Sequence, residues 1–211
     1  MRQDTGPVSD QSKTNIRREL RSKRSRLSNT LRQRYDRAIG QHLYELVKSH
    51  GAESIACYWP FDGEPDIRPV YGQLMADGCQ LALPVISGDD NHGMHFHPWR
   101  KDTELGKNRY GIPEPRKTRP IPLSSLDVLI MPLVGYDRFG NRLGMGAGYY
   151  DRYLESSREL PTPLRVGIAY SLQEIDPVVE NRWDIPLHGV VNELGWFTFV
   201  DKEPLTEFKE N

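Results

Sequence analysis

Cysteine is scarce in this sequence. Two in 211 residues, Cys57 and Cys79, cannot build a disulfide framework, and both sit in apolar runs. We read them as small buried hydrophobes in a reducing compartment, which places the protein in the cytoplasm. Long hydrophobic runs are missing too. None approaches the roughly 18 residues that a membrane helix needs, so no membrane partner is expected. Residues 1–12 are polar and lack the apolar centre of a secretory signal. Net charge is also close to absent: 28 Lys and Arg against 29 Asp and Glu leave −1 with His neutral. No global field therefore draws the chain to nucleic acid. Repeats and low-complexity linkers are lacking, and the length suits one domain. No Ser-His-Asp or Cys-His set suggests a protein nucleophile.

Charge is present locally. Between residues 13 and 27, Lys13, Arg17, Arg18, Arg21, Lys23, Arg24 and Arg26 face a single acid, Glu19. Ile16, Leu20 and Leu27 recur at helical spacing and predict an amphipathic helix with a narrow apolar stripe. Lys13, Arg17 and Arg21 lie four apart and share one face. Three readings are open for them: a solvated surface, a cation set that reaches an anionic ligand, or an RNA-binding arm. Ser28-Asn29 breaks this helix and caps a second, over 30–50, which Gly51 ends.

Strand 54–59, turn 60–65, a helix capped by Asp66 that runs to about Asp77, and strand 79–86 come next. This βαβ spacing predicts a parallel sheet with a right-handed crossover. Such sheets bind ligands at the carboxyl ends of their strands, where Glu64 falls. Residues 94–99 alternate like an edge strand. His95 and His97 share a face there, but two imidazoles without a third ligand do not define a metal site. Residues 101–109 read as irregular. Gly111-Ile112-Pro113-Glu114-Pro115 reads as a stiff extended segment able to form a pocket wall. Closing strands are expected at 164–169, 190–191 and 194–200. Asp184 lies between Trp183 and Ile185-Pro186, an odd place for a solvated acid.

The densest motif is Asp137-Arg138-Phe139-Gly140-Asn141-Arg142-Leu143-Gly144-Met145-Gly146-Ala147-Gly148-Tyr149-Tyr150-Asp151-Arg152. It joins an apolar strand, 128–134, to a helix, 149–158. That layout presents bare N–H groups at a helix N-terminus, where phosphate binds. Arg142 can clamp phosphate oxygens with its planar fork. Tyr149 and Tyr150 supply ring surface and hydroxyls. Asp151, in the first helical turn, suits the dipole and can hold a cation. The glycine spacing is neither G-x-G-x-x-G nor a Walker A loop. We read a nucleotide-phosphate and Mg²⁺ site, with a tight glycine turn as the plain alternative.

The segment from Arg142 to Arg152, preceded by Pro132-Leu133 and Asp137-x-x-Gly140, resembles the signature of the 5-formyltetrahydrofolate cyclo-ligases. Lys13-x-x-x-Arg17 is similar to that family's opening helix and Phe61-Asp62-Gly63-Glu64 to its folate-side loop. Gly111 to Pro115 and Trp183-Asp184-Ile185-Pro186-Leu187 resemble two further family segments. The resemblance implies a single three-layer α/β domain over 13–200, with tails at 1–12 and 201–211. Its mostly parallel sheet would be flanked by helices in the NagB/RpiA/CoA-transferase-like manner. It implies ATP- and Mg²⁺-dependent closure of 5-formyltetrahydrofolate to 5,10-methenyltetrahydrofolate by a monomer, and the substrate could be polyglutamylated.

Site roles follow from the same resemblance. Lys13 and Arg142 would be catalytic. Lys13, Arg17, Arg142, Leu143, Gly144, Met145, Gly146, Ala147, Gly148, Tyr149, Tyr150 and Asp151 would bind ATP. Glu64, Phe61 and Tyr150 would bind the folate, and Asp151 and Asp184 the metal. Met145 and Ala147 depart from the family pattern, so phosphate contact would fall to Arg142, Lys13 or backbone groups. The rival readings are a sugar-phosphate isomerase or CoA-transferase-like enzyme, and an RNA-binding module built on the basic helix.

Overall fold

Alternation of side chains along the strands sets the layers. In a computed structural model that describes residues 10–87, 93–155, 163–177 and 185–199, Ile55 and Cys57, Leu81 and Leu83, Val128 and Ile130, and Val166 and Ile168 face one core. Their neighbours Ala56, Ala82, Leu129, Met131 and Ala169 face a second. Strands buried on both sides in this way require a covering layer on each face.

The strands are β1 (Ser54–Ala56), β2 (Gln80–Ile86), β3 (Met94–Trp99), β4 (Leu105–Lys107), β5 (Pro113–Pro115), β6 (Val128–Pro132), β7 (Gly135–Tyr136), β8 (Arg142–Leu143), β9 (Leu164–Ile168), β10 (Gly189–Asn192) and β11 (Gly195–Thr198). Seven form one sheet in the order β11-β10-β9-β6-β1-β2-β3. Its inner members run parallel, and β3 and β11 pair antiparallel at the two edges. The helices are α1 (Asp10–Ser25), α2 (Asn29–Ser49), α3 (Arg68–Ala76) and α4 (Tyr149–Glu155). Leu43, Leu46 and Val47 of α2 and Val70 and Leu74 of α3 cover the first face. Tyr153 and Leu154 of α4, with Leu123, Leu126 and Leu187, cover the other.

The mostly parallel, helix-flanked sheet is the expected fold. Ser28 caps α2 as read, its side chain accepting from Leu31 N at 3.3 Å. Three local expectations change. The N-cap of α3 is Ile67, with no side-chain bond. Asp66 instead accepts from Arg68 N and pairs with the Arg68 guanidinium at 2.6 Å. The stretch 101–109 is not irregular throughout: β4 lies in it and pairs with β5, the proline-rich segment. Proline can sit in β5 because the ribbon has only two strands and leaves an open edge. The glycine-rich motif does not pass straight from strand to helix, because β7 and β8 form a hairpin in between. Of the expected tails, residues 10–12 already belong to α1; 1–9 and 200–211 lie outside the described residues, as does Asp184.

Topology places the ligand edge. From β1 the chain crosses through α3 to β2 on one side; from β6 it goes to β9 on the other. The direction of winding therefore reverses between β1 and β6, and the segments that leave their carboxyl ends diverge to open a crevice.

Gln173 locks one wall of that crevice. It is fully buried. Its Nε2 donates to Leu133 O at 2.8 Å and Val134 O at 3.0 Å, and its Oε1 accepts from Tyr170 N at 2.9 Å. Gln173→Ala orphans three backbone groups and should lower stability by about 3 kcal/mol. The readout is a fall in the urea midpoint at constant slope.

Candidate functional site

The exit from β6 positions the first functional side chain. Asp137 is fully buried at the turn of the β7–β8 hairpin. Its Oδ1 accepts from the backbone N–H groups of Phe139 (2.9 Å) and Asn141 (3.1 Å), and its Oδ2 from Asn141 Nδ2 (2.8 Å). A carboxylate that takes three donors fixes the turn. At Gly135 an added Cβ would come within 2.7 Å of Leu20 Cδ1, so a larger residue there would displace the Leu20 side chain by which α1 meets the hairpin. The hairpin returns Arg142 to the crevice. Its Nη2 pairs with Asp151 Oδ1 at 2.5 Å, and its buried Nε has no partner among the described residues.

Between Arg142 and α4 the chain bends through Gly146 (φ +102°) and Gly148 (φ +66°). Met145 and Ala147 alternate with these glycines and keep negative φ, so the loop tolerates a Cβ at both departures from the family pattern. Arg17 reaches across from α1, donating from Nε to Gly144 O at 2.9 Å. Lys13, one turn earlier, is 8% exposed and makes no ion pair with any described residue.

These cations face a cavity of about 510 Å³. Lys13, Arg17, Arg142 to Gly148, Tyr149, Tyr150 and Asp151 line one part of it; Tyr58, Trp59, Phe61 and Glu64, leaving β1, line another. The volume falls in the range of small-molecule sites. Glu64 is half-buried. Its Oε2 accepts from Phe61 N at 3.0 Å, while its own N–H donates to Phe61 O at 3.0 Å. Burial pushes its carboxyl up to about 7, against the Phe61 hydrogen bond and the Arg24 charge. The Tyr150 ring packs 6.3 Å from Phe96, and burial holds its hydroxyl well above the ordinary range. Tyr149 lies nearer the rim. Its hydroxyl accepts from Arg109 and meets the Tyr110 hydroxyl at 3.1 Å.

The cavity thus gathers every expected binding residue that the structure describes. His95 and His97 stay outside its lining, and His97 Nδ1 meets Thr118 Oγ1 at 3.0 Å. Ile112, in the proline-rich segment expected to form a pocket wall, does line the cavity; Asn108 and Tyr110 beside it in the β4–β5 ribbon, and Asn141 in the hairpin, complete the wall without having been foreseen. Glu114 pins the ribbon to the sheet by accepting from Ile86 N at 3.2 Å. An acid set between two prolines, Pro113 and Pro115, was the available signal for that contact. Arg24 is one of the α1 cations whose setting the sequence leaves open, and it is 1% exposed.

Chemically, the loop side suits an oxyanion-rich ligand and the β1 side a polar ring laid against apolar walls. Asp151 is paired on Oδ1 only, and its side chain is 21% exposed. Among the described residues no three His, Cys, Asp or Glu side chains cluster as a metal cage. One open carboxylate oxygen on Asp151 would suit a hard divalent cation brought in with a phosphate ligand.

Known proteins resemble this chain over most of its length. The model of the 5-formyltetrahydrofolate cyclo-ligase family matches residues 9–193. The 5-formyltetrahydrofolate cyclo-ligase of Haemophilus influenzae is 33% identical over 186 residues, 87% of this chain and 99% of that one. The Escherichia coli K12 enzyme of the same name is 41% identical over 142 residues, 66% of this chain and 78% of that one. The 5,10-methenyltetrahydrofolate synthetase of Aquifex aeolicus superposes with a TM-score of 0.77 at 29% identity, covering 94% of this chain and 98% of that one. The Mycoplasma pneumoniae synthetase gives 0.69 at 27%, over 86% and 98%.

Glu64 has a consequence for stability. A carboxyl raised in the folded state favours folding in its protonated form. That contribution is complete below about 4.5 and is lost as pH rises through about 7. Glu64→Gln stays neutral and should escape this loss. At pH 8 it should exceed the unaltered protein by about 2 kcal/mol, with little difference at pH 4.5. Urea midpoints at the two pH values give the comparison; equal slopes with pH would exclude Glu64 as the titrating group.

Proposed function

The chain belongs to the 5-formyltetrahydrofolate cyclo-ligase family of enzymes, and on that basis we propose that it converts 5-formyltetrahydrofolate to 5,10-methenyltetrahydrofolate, with ATP cleaved to ADP and phosphate. The observation that carries the proposal is one cavity lined by Lys13, Arg17 and Arg142 on one part and by Phe61 and Glu64 on another. Two substrates can then meet without leaving the site.

In this reading the formyl oxygen attacks the γ-phosphorus. An O–P bond forms, the β–γ bridge breaks, and ADP leaves. The product is a phosphorylated iminium at N5. N10 of the same folate attacks its carbon and loses a proton; the C–O bond breaks and phosphate departs with both electrons. Ring closure is intramolecular, so the protein supplies no nucleophile. Its contribution is orientation and charge.

Lys13, Arg17 and Arg142 bind phosphate oxygens and offset the charge that builds on the transferring group. Backbone N–H groups of Gly144, Met145, Gly146, Ala147 and Gly148, with Leu143 beneath them, cradle the triphosphate. Asp151 would hold Mg²⁺, which when bound neutralises phosphate charge; Asp184 is a second proposed ligand from outside the described residues. Glu64 accepts hydrogen bonds from the folate ring, with Phe61 and Tyr150 as apolar walls. Tyr149 closes the nucleotide side.

Arg142 is already paired with Asp151, so ATP entry must exchange or share that pair. Its Nε, without a partner among the described residues, supports a role toward an incoming acceptor.

Absorbance of the methenyl product, followed with and without ATP and Mg²⁺, tests the proposal. Formation only with both supports it. Turnover without ATP would favour an isomerase or transferase, and salt-sensitive RNA affinity without turnover a binding module. Arg142→Ala should cut kcat/KM for ATP by about 100-fold while the fold is kept, as judged by circular dichroism. Normal turnover would end the phosphate role of Arg142. Asp151→Asn should lower activity about tenfold at low Mg²⁺ and recover in part as Mg²⁺ is raised. An unchanged Mg²⁺ dependence would remove Asp151 from the metal site.

A further inference from the structure

Arg24 is among the largest fully buried side chains of the described residues, and it carries a charge. A buried guanidinium costs several kcal/mol unless it is paired and hydrogen-bonded. Its pairing is directed at one short turn. Nη2 donates to Asp62 O at 2.6 Å and meets Asp62 Oδ2 at 3.2 Å. Nη1 lies 3.5 Å from Leu133 O, beyond the end of β6, and Nε has no partner among the described residues. Two more arginines brace the same turn. Arg21 Nε donates to Asp62 Oδ2 at 2.8 Å. Arg32 of α2 donates from Nη1 to Gly63 O and from Nη2 to Arg24 O, both at 2.8 Å.

The turn needs bracing. Asp62 adopts φ +51°, and a non-glycine residue there holds of order 1 kcal/mol of strain. Phe61 and Glu64 then close on each other through two 3.0 Å hydrogen bonds, which aim the Glu64 carboxyl at the cavity. Three guanidiniums on two residues are more than packing requires. They fix the one segment that carries an acid into the β1 side of the site.

We propose that Arg24 is a positioning residue for substrate binding: it ties α1 to the 61–64 turn and to the exit of β6, and so holds the Glu64 carboxyl in register with the cation side of the cavity. The inference rests on the assignment of this turn to the folate. Arg24 also sets the charge around Glu64. The titratable and charged groups that face Glu64 are Arg24 from α1, Asp62 on its own turn, Tyr58 beyond β1 and Tyr150 of α4. Arg24 is the sole cation among them. Its loss leaves burial and Asp62 to favour the protonated acid, which cannot accept as a carboxylate does.

The test is steady-state kinetics of Arg24→Met, Arg24→Lys and Glu64→Gln, each substrate varied in turn across the acid limb of the pH profile. Arg24→Met should raise KM for 5-formyltetrahydrofolate about tenfold and leave KM for ATP within about twofold. It should move the acid limb of kcat/KM for the folate up by about one pH unit. Arg24→Lys keeps the charge without the fork, so the limb should return while KM stays raised. A folded Arg24→Met with an unmoved limb and unchanged folate KM overturns the proposal. Equal rises in both KM values, the signature of a general structural loss, also overturn it. If Arg24→Met does not fold, Arg32→Met removes an outer strut and should raise the folate KM about threefold alone; no rise overturns the proposal. If Glu64→Gln leaves the folate KM and the limb unchanged, the folate assignment of the turn fails, which is a separate result from failure at Arg24.

Discussion

Everything at the functional edge depends on α1 lying against the segments that leave β1 and β6. Two contacts enforce this. Leu20 fills the space that a Cβ on Gly135 would occupy, and Arg24 buries its guanidinium against Asp62 and Leu133. The first contact is apolar burial, which is strong but without direction. The second is directional and costly to leave unmade. Together they bring Lys13 and Arg17 to the glycine loop from the far end of the sequence. A basic helix that could have been a solvated face becomes a wall of the cavity.

The sheet supplies the complementary constraint. Winding reverses between β1 and β6, so the 58–64 and 132–151 segments diverge above those two strands. The cavity is therefore a product of topology, and its polarity is a product of the loops. Its charges are held in different ways. Arg142 and Asp151 form a close ion pair with little exposure. Glu64 pays in stability for its burial, with its carboxyl pushed up to about 7. Strain is present here as well, with Asp62 held at positive φ, a backbone region that the loop glycines enter freely. Stored strain and uncomfortable charge at one edge of an otherwise well-satisfied core mark a site shaped for a ligand.

The reading of the sequence was most secure where period and punctuation agree. Ser28 caps α2, the βαβ spacing of β1, α3 and β2 gives parallel pairing, and the continuous apolar run that opens at Val128 gives a strand buried on both sides. It failed where a contact made far along the chain overrides local preference. Residues 105–107 carry no strand signal of their own and become β4 because Pro113–Pro115 lies opposite and Glu114 is anchored to Ile86. Asp66 has cap chemistry, yet Arg68 takes its carboxylate. The β7–β8 hairpin was hidden because Asp137 and Asn141 look like loop residues until their hydrogen bonds are counted.

The glycine motif from Arg142 to Asp151 was legible by itself as a phosphate-binding candidate, because the residue types needed to meet an anion lie within ten positions. The sequence by itself also determined the sheet's parallel core, its two covered faces and the basic character of α1. Burial of Arg24, pairing of Arg142 with Asp151 and the raised carboxyl of Glu64 were decided only in the tertiary structure. The reason is physical. Hydrophobic period and glycine punctuation are properties of neighbours along the chain. The energy of a charge is set by what surrounds it in space, and here those surroundings are brought together from segments far apart in sequence.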